Sequence, residues 1–131
     1  MRDIKDSEKI KDRLKFSNEL IIIGGGFIGL EIASAASQLG KKVSVVEIGK
    51  QLMGRAIPLQ ISELVKKIHM KKGNSIYLET QITKIKKING SYEILLNSNN
   101  TIYCDLIVAG IGSLANTELF SDTSMKINNG I

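Results

Sequence analysis

From Leu20 to Glu31 the chain reads L-I-I-I-G-G-G-F-I-G-L-E. A short apolar run breaks on glycines spaced G-x-G-x-x-G, at Gly24, Gly26 and Gly29. An apolar, Ala-rich segment follows, and a second strand-like run, Val43–Val46, ends on Glu47. Strand, glycine turn, helix, strand and acid in that order make up a dinucleotide-binding unit. The run into the glycines is apolar at successive positions, as in a central parallel strand covered on both faces.

Each part of the unit has its own physical task. Gly24 permits the tight turn out of the strand, Gly26 lets backbone approach a pyrophosphate, and Gly29 lets the helix lie close to the strand. The start of the helix then aims unpaired N–H groups, from about Phe27 and Ile28, and a positive dipole end at the phosphates. Glu47 stands 18 residues beyond Gly29. A carboxylate there accepts hydrogen bonds from both adenosine ribose hydroxyls, whereas a 2′-phosphate meets like charge. NAD(H) is therefore favoured over NADP(H). Lys50 and Arg55 lie close by in sequence and leave NADP(H) open. The plainer reading of Glu47 is an acid that ends a strand in solvent.

Other chemistries fit less well. A triphosphate-binding loop needs Gly-Lys-Ser/Thr, and Leu30 and Glu31 follow Gly29 instead. The chain has one His and one Cys, so no metal site is expected. A catalytic triad would have to use His69, which falls near the end of a predicted helix, where a surface or dipole-compensating His is ordinary. Cys104 has no internal partner and reads as a buried or half-buried strand residue. The net charge is +5, carried by dispersed lysines, and aromatics are only 5%, so base-stacking rings are not interleaved with the basic residues. The lysines read as solvated faces, with nucleic-acid binding the minor alternative. No apolar run approaches the ~20 residues of a membrane span, and no apolar leader is present, so a reducing cytoplasm is expected.

At 131 residues one domain is expected. A first helix is predicted over Asp6–Leu14, capped by Asp6 or Ser7, with Ile10 and Leu14 on one face. The first strand takes Glu19–Ile23, the glycine-rich helix Phe27–Leu39 with Gly40 as its stop, and the second strand Lys42–Glu47. After a loop over Ile48–Ala56, Pro58 opens a helix. Its Ile61, Leu64, Val65 and Ile68 recur at i, i+3, i+4 and i+7. Gly73 ends it, and Ser75–Glu79 forms a third strand. The pattern then changes. Ile82–Ile88, the hairpin signal Asn89-Gly90, Tyr92–Leu96, a polar turn and Thr101–Cys104 read as an antiparallel meander. Asp105–Ala109 is a further buried strand, ending in Gly110-Ile111-Gly112. The fold class is α/β, a Rossmann-like parallel sheet with a three-stranded antiparallel β-meander.

Four motifs taken together resemble one family: G-G-G-F-I-G-L-E (Gly24–Glu31), V-S-V-V-E (Val43–Glu47), Q-L-M-G-R (Gln51–Arg55) and D-L-I-V-A-G-I-G-S-L-A-N (Asp105–Asn116). It is the flavin-dependent pyridine nucleotide-disulfide oxidoreductase superfamily, closest to its ferredoxin/rubredoxin reductase branch. The resemblance implies an NAD domain in which NADH delivers hydride to FAD, whose electrons then pass singly to a small iron–sulfur protein. It implies that Gly24, Gly26 and Gly29 hold the pyrophosphate and Glu47 the ribose. Arg55 would contact the adenosine end, Gly110, Ile111 and Gly112 would line the nicotinamide side, and Glu31 would sit near the nicotinamide–flavin contact. The bland alternatives are a dipole-favoured carboxylate for Glu31 and a solvated loop residue for Arg55.

That family also holds a second glycine fingerprint, in an FAD domain ahead of the NAD unit, and continues into an interface domain. Neither precedes Leu20 nor follows Asn116 in this sequence. The expectation is a single NAD(H)-binding domain, with residues 1–18 and 117–131 as connections to a missing FAD domain and FAD implied for the parent enzyme only. Homodimerisation through surfaces the missing domains would cover is left open. Two other readings stand beside it: the NAD domain of a lipoamide- or glutathione-type disulfide reductase, and a non-catalytic NAD-sensing module. The second needs further β-α-β crossovers where the meander is predicted. A methyltransferase fits less well still, because its acid is not found at Ile21–Ile23.

Overall fold

A computed structural model describes residues 3–54, 56–113 and 115–128. The first helix, α1 (Ile4–Phe16), precedes β1 (Glu19–Ile23), α2 (Phe27–Gln38), β2 (Lys42–Val46), α3 (Leu59–Lys71) and β3 (Ser75–Tyr77). Then come β4 (Ile82–Ile88), β5 (Ser91–Leu96), β6 (Thr101–Cys104), β7 (Leu106–Ala109) and a single 3-10 turn, Glu118–Phe120. Strands β3-β2-β1-β7 form one parallel sheet in that order, and β4-β5-β6 form a separate antiparallel sheet. The expected class, a Rossmann-like parallel sheet with a meander, is the observed one.

The apolar run of β1 explains the layering. Leu20 and Ile22 point to one side, into a core with Leu14 of α1, Leu30 and Ala33 of α2, and Val43 and Val45 of β2. Ile21 points to the other side, with Val46, Ile94, Leu96 and Cys104. Helices therefore cover one face of the sheet and the meander covers the other. Leu20, Ile21 and Ile22 are at most 1% exposed. Burying each stabilises by about 1.5–3 kcal/mol, which anchors β1 as the central strand. The meander turns where expected: Asn89 and Gly90 both take positive φ, as a two-residue hairpin turn requires.

Several boundaries differ from expectation. The first helix begins at Ile4 because Asp3, not Asp6 or Ser7, is its cap, with its carboxylate accepting the Asp6 N–H at 2.9 Å. The third strand stops at Tyr77, since Glu79 takes φ 50° and turns the chain away. Of the apolar period of α3, only Val65 packs against the core. Ile61, Leu64 and Ile68 are about half exposed, and the buried residues of that helix are Ser62 and His69.

His69 is thus an interior residue, contrary to the surface reading. Ser37 Oγ of α2 donates to Asn74 Oδ1, so Asn74 Nδ2 is the donor to His69 Nδ1, 3.0 Å away. Accepting at Nδ1 places the neutral ring's proton on Nε2, and burial lowers the pKa, favouring that neutral form. At the lower end of the sheet, Asp105 accepts the Asn18 and Glu19 N–H groups at 2.9 and 3.2 Å and the Ser91 hydroxyl at 3.2 Å. It ties β1 to the meander. Cys104 is buried, as expected, and burial with Asp105 adjacent pushes its thiol up to about 11. No helix among the described residues is long and apolar enough to cross a membrane.

Candidate functional site

The carboxyl ends of β1, β2 and β7 open into a cleft of about 780 Å³. Its walls come from the loops after four strands: Gly24 and Gly26 after β1, Glu47–Gln51, Met53, Gly54 and Ala56 after β2, Thr80 and Gln81 after β3, and Gly110–Gly112 after β7. Gly24 takes φ +101°, a conformation that a side chain strains. A Cβ there would stand 2.5 Å from the Gly110 carbonyl oxygen, so the glycine is what lets β1 and β7 close together. A Cβ at Gly29 would collide with the Gly24 oxygen and reach Ile22 Cγ2 at 3.1 Å, which is the close helix–strand contact expected of that position. Gly26 differs from both: nothing lies within 4 Å of where its Cβ would be. The space over it is open, and it belongs to the cleft.

Gly26 is also the N-cap of α2. The helix starts with no capping side chain and no acid in its first turn. Its terminal N–H groups and positive dipole end are thus left for an anion. Across the cleft, Glu47 accepts the Gly25 N–H through Oε2 at 2.6 Å and the Gly49 N–H through Oε1 at 2.7 Å. Each carboxylate oxygen keeps a second lone pair for a further donor. Backbone bonds fix the acid in place: the Glu47 N–H donates to the Tyr77 carbonyl at 2.8 Å and its carbonyl accepts the Thr80 N–H at 3.0 Å. At the opposite end, Gly110, Ile111 and Gly112 line the cleft beside Phe27, and Phe27 and Ile111 are exposed apolar side chains.

Of the residues singled out from sequence, the fold brings Gly24, Gly26, Phe27, Glu47, Gly110, Ile111 and Gly112 to the cleft wall. Gly29 lies behind the wall as packing, and Ile28 and Glu31 are exposed on α2 without lining it. Arg55 lies outside the described residues. Sequence reasoning missed Gly49, Lys50, Gln51, Met53, Thr80 and Gln81, which also line the cleft. Gly49 and Gly54 beside the acid carried a signal of a tight loop. Thr80 and Gln81 carried none, because only the passage from β3 into the meander brings them there. Among the described residues no group of His, Cys, Asp and Glu could hold a metal ion.

A sequence model described as pyridine nucleotide-disulphide oxidoreductase matches residues 1–131. The chain belongs to this family. Across its whole length it is 36% identical to rubredoxin-NAD(+) reductase of Ectopseudomonas oleovorans, covering 34% of that protein. It is 30% identical to the ferredoxin–NAD(+) reductase component of a 3-phenylpropionate/cinnamic acid dioxygenase from Photorhabdus laumondii, covering 33% of it. The crystal structure of a ferredoxin reductase from Rhodopseudomonas palustris superposes with TM-score 0.93 at 30% identity, over 99% of this chain and 32% of that one. The chain therefore spans about a third of the length of the relatives it matches. The resemblance drawn from the four motifs was to the same family and the same ferredoxin/rubredoxin reductase relatives.

Proposed function

We propose that this chain is the NAD(H)-binding domain of a flavin-dependent reductase of the ferredoxin/rubredoxin reductase kind. The carrying observation is the open space over Gly26, in front of a helix start with neither cap nor acid. A pyrophosphate fits there, because the first-turn N–H groups are donors without competition from the chain's own side chains. The adenosine ribose lies at Glu47, whose spare lone pairs accept both hydroxyls while its charge opposes a 2′-phosphate. NAD(H) supplies the hydride chemistry when bound. Gly110–Gly112 let the backbone pass beside the nicotinamide, and the exposed rings and methyls of Phe27 and Ile111 keep that end apolar. Glu31, exposed on α2, acts at the edge where the flavin-bearing part docks, and Arg55 at the adenosine end.

Hydride transfer needs donor and acceptor held within about 3–3.5 Å. The flavin belongs to other domains of the parent protein, and its electrons go on to a small iron–sulfur carrier. By itself the chain binds nucleotide and lacks reductase turnover. The NAD-sensing alternative needs helices where β4–β6 stand. The rubredoxin and ferredoxin reductase relatives support the proposed reading over the disulfide-reductase alternative.

Amide NMR on the labelled chain tests the placement. NADH should shift Gly24–Phe27, Glu47–Gly49 and Gly110–Gly112 and leave α1 unmoved. Shifts confined to the helix-covered face or the meander would refute it.

A further inference from the structure

The candidate site contains a cross-tie that its ribose-binding role does not require. Gly25, the middle glycine of Gly24–Gly26, is buried between Glu47 and Leu52. Its N–H donates to Glu47 Oε2, and its carbonyl accepts the Met53 N–H at 2.9 Å. Both ends of that residue are therefore fastened to the loop after β2. The second Glu47 oxygen holds Gly49 within the same loop. Gly26 and Phe27, which would face the phosphates, follow directly.

We propose that Glu47 is a positioning residue for the phosphate-binding turn: its carboxylate aims the N–H groups at the start of α2, in addition to holding the ribose. The proposal rests on the NAD(H) reading above and extends it. It makes the ribose-holding acid and the phosphate turn act as one unit. A glutamine in place of Glu47 offers one acceptor oxygen and turns an NH₂ toward the other backbone donor, so either Gly25 or Gly49 loses its partner. A methyl group at Gly25 acts from the opposite side. It would meet Leu52 Cδ2 at 2.6 Å and Glu47 Cβ and Oε2 at 3.2 Å, displacing the clamp while keeping the carboxylate.

The test uses the whole chain and two ligands, NADH and reduced nicotinamide mononucleotide, which has no adenosine ribose. NMR titration at the Gly26 and Phe27 amides reads both affinities. Glu47→Gln and Gly25→Ala should each weaken the mononucleotide as well as NADH, by about 10-fold for one lost charge-assisted hydrogen bond. If Glu47→Gln weakens NADH but leaves the mononucleotide within about 2-fold, Glu47 acts through the ribose only and the clamp is wrong. Hydrogen exchange separates this from the ligand assignment. In the unmodified chain the Gly25 or the Gly49 amide, whichever the glutamine leaves without an acceptor, should exchange at least about 10-fold more slowly than in Glu47→Gln. Equal rates at both amides would overturn the clamp whatever binds. Failure of the unmodified chain to bind either ligand, with the amides protected, would overturn the NAD(H) reading and leave the clamp standing.

Discussion

Gly24 and Gly26 differ by two positions, and the structure assigns them opposite sensitivities. Alanine at Gly24 must hold φ near +101°, which costs about 1–3 kcal/mol. Its Cβ would also press on the Gly110 carbonyl oxygen at 2.5 Å and the carbonyl carbon at 2.9 Å. Those are backbone atoms of a segment whose N–H already bonds the Ile23 carbonyl at 2.7 Å, so β7 must shift against β1. Overpacking of that kind costs a further ~1–3 kcal/mol, and the stiffer unfolded chain returns about 0.5–1 kcal/mol. The net is about 1–5 kcal/mol, and its mid-range corresponds to a fall in Tm of roughly 10 °C for a domain of this size. Alanine at Gly26 meets no atom within 4 Å, and its φ of −79° is ordinary. Its stability cost is the poorer cap, under about 1 kcal/mol. Yet its methyl group stands where the pyrophosphate must approach, and losing one charged hydrogen bond there costs about 2 kcal/mol, roughly 30-fold in NADH affinity. Differential scanning calorimetry and an NADH titration on both variants read the two effects separately. A Gly26→Ala chain that binds NADH as tightly as the parent, or a Gly24→Ala chain that melts with it, would refute the division of labour.

Two further perturbations probe the frame that holds the cleft. The Asp105 carboxyl is held below its usual pKa, first by the Asn18 N–H. Its stabilisation is thus complete above the unfolded value near 4 and is lost as pH falls through the folded one. Asp105→Asn should lower stability at pH 7 by about 1 kcal/mol, discounted for the site's exposure, and flatten the urea-midpoint profile below pH ~4. An unchanged acid limb would refute that role. His69 is likewise depressed by burial, so its neutral form stabilises the fold above pH ~6.5, and stability declines as pH drops toward the folded value. His69→Gln should remove the decline that sets in as pH falls below about 6.5 in denaturation midpoints, and a decline of the same slope in the variant would contradict the burial account.

Legibility in the sequence followed how narrowly a position's chemistry restricts its residue. A turn with positive φ wants glycine or asparagine, so Gly24 and Asn89-Gly90 announced the cleft and the meander. An acid at the end of β2 has few reasons to recur at that spacing, so Glu47 was readable too. Where several residue types serve equally, the sequence was silent. Thr80 and Gln81 reach the cleft only because Glu47 and Gly49 pair with the turn after β3. The orientation of α3 was hidden for another reason. Its apolar period suggested that Ile61, Leu64 and Ile68 face inward, but the Ser37–Asn74–His69 chain satisfies polar groups inside and rotates the helix about them. Asn74, the partner that satisfies the buried His69, lies five residues away in a loop, and the Ser37 that orients Asn74 lies 37 residues before it in α2. No local pattern reports that.

The account's central claim is that a dinucleotide lies across this cleft with its phosphates over Gly26 and its ribose on Glu47. A calorimetric titration of the chain with NADH and, separately, NADPH tests it most directly. The prediction is one NADH per chain, with NADPH weaker by at least about 10-fold because its 2′-phosphate meets the Glu47 carboxylate. Tighter NADPH binding, or no heat from either nucleotide, would contradict it.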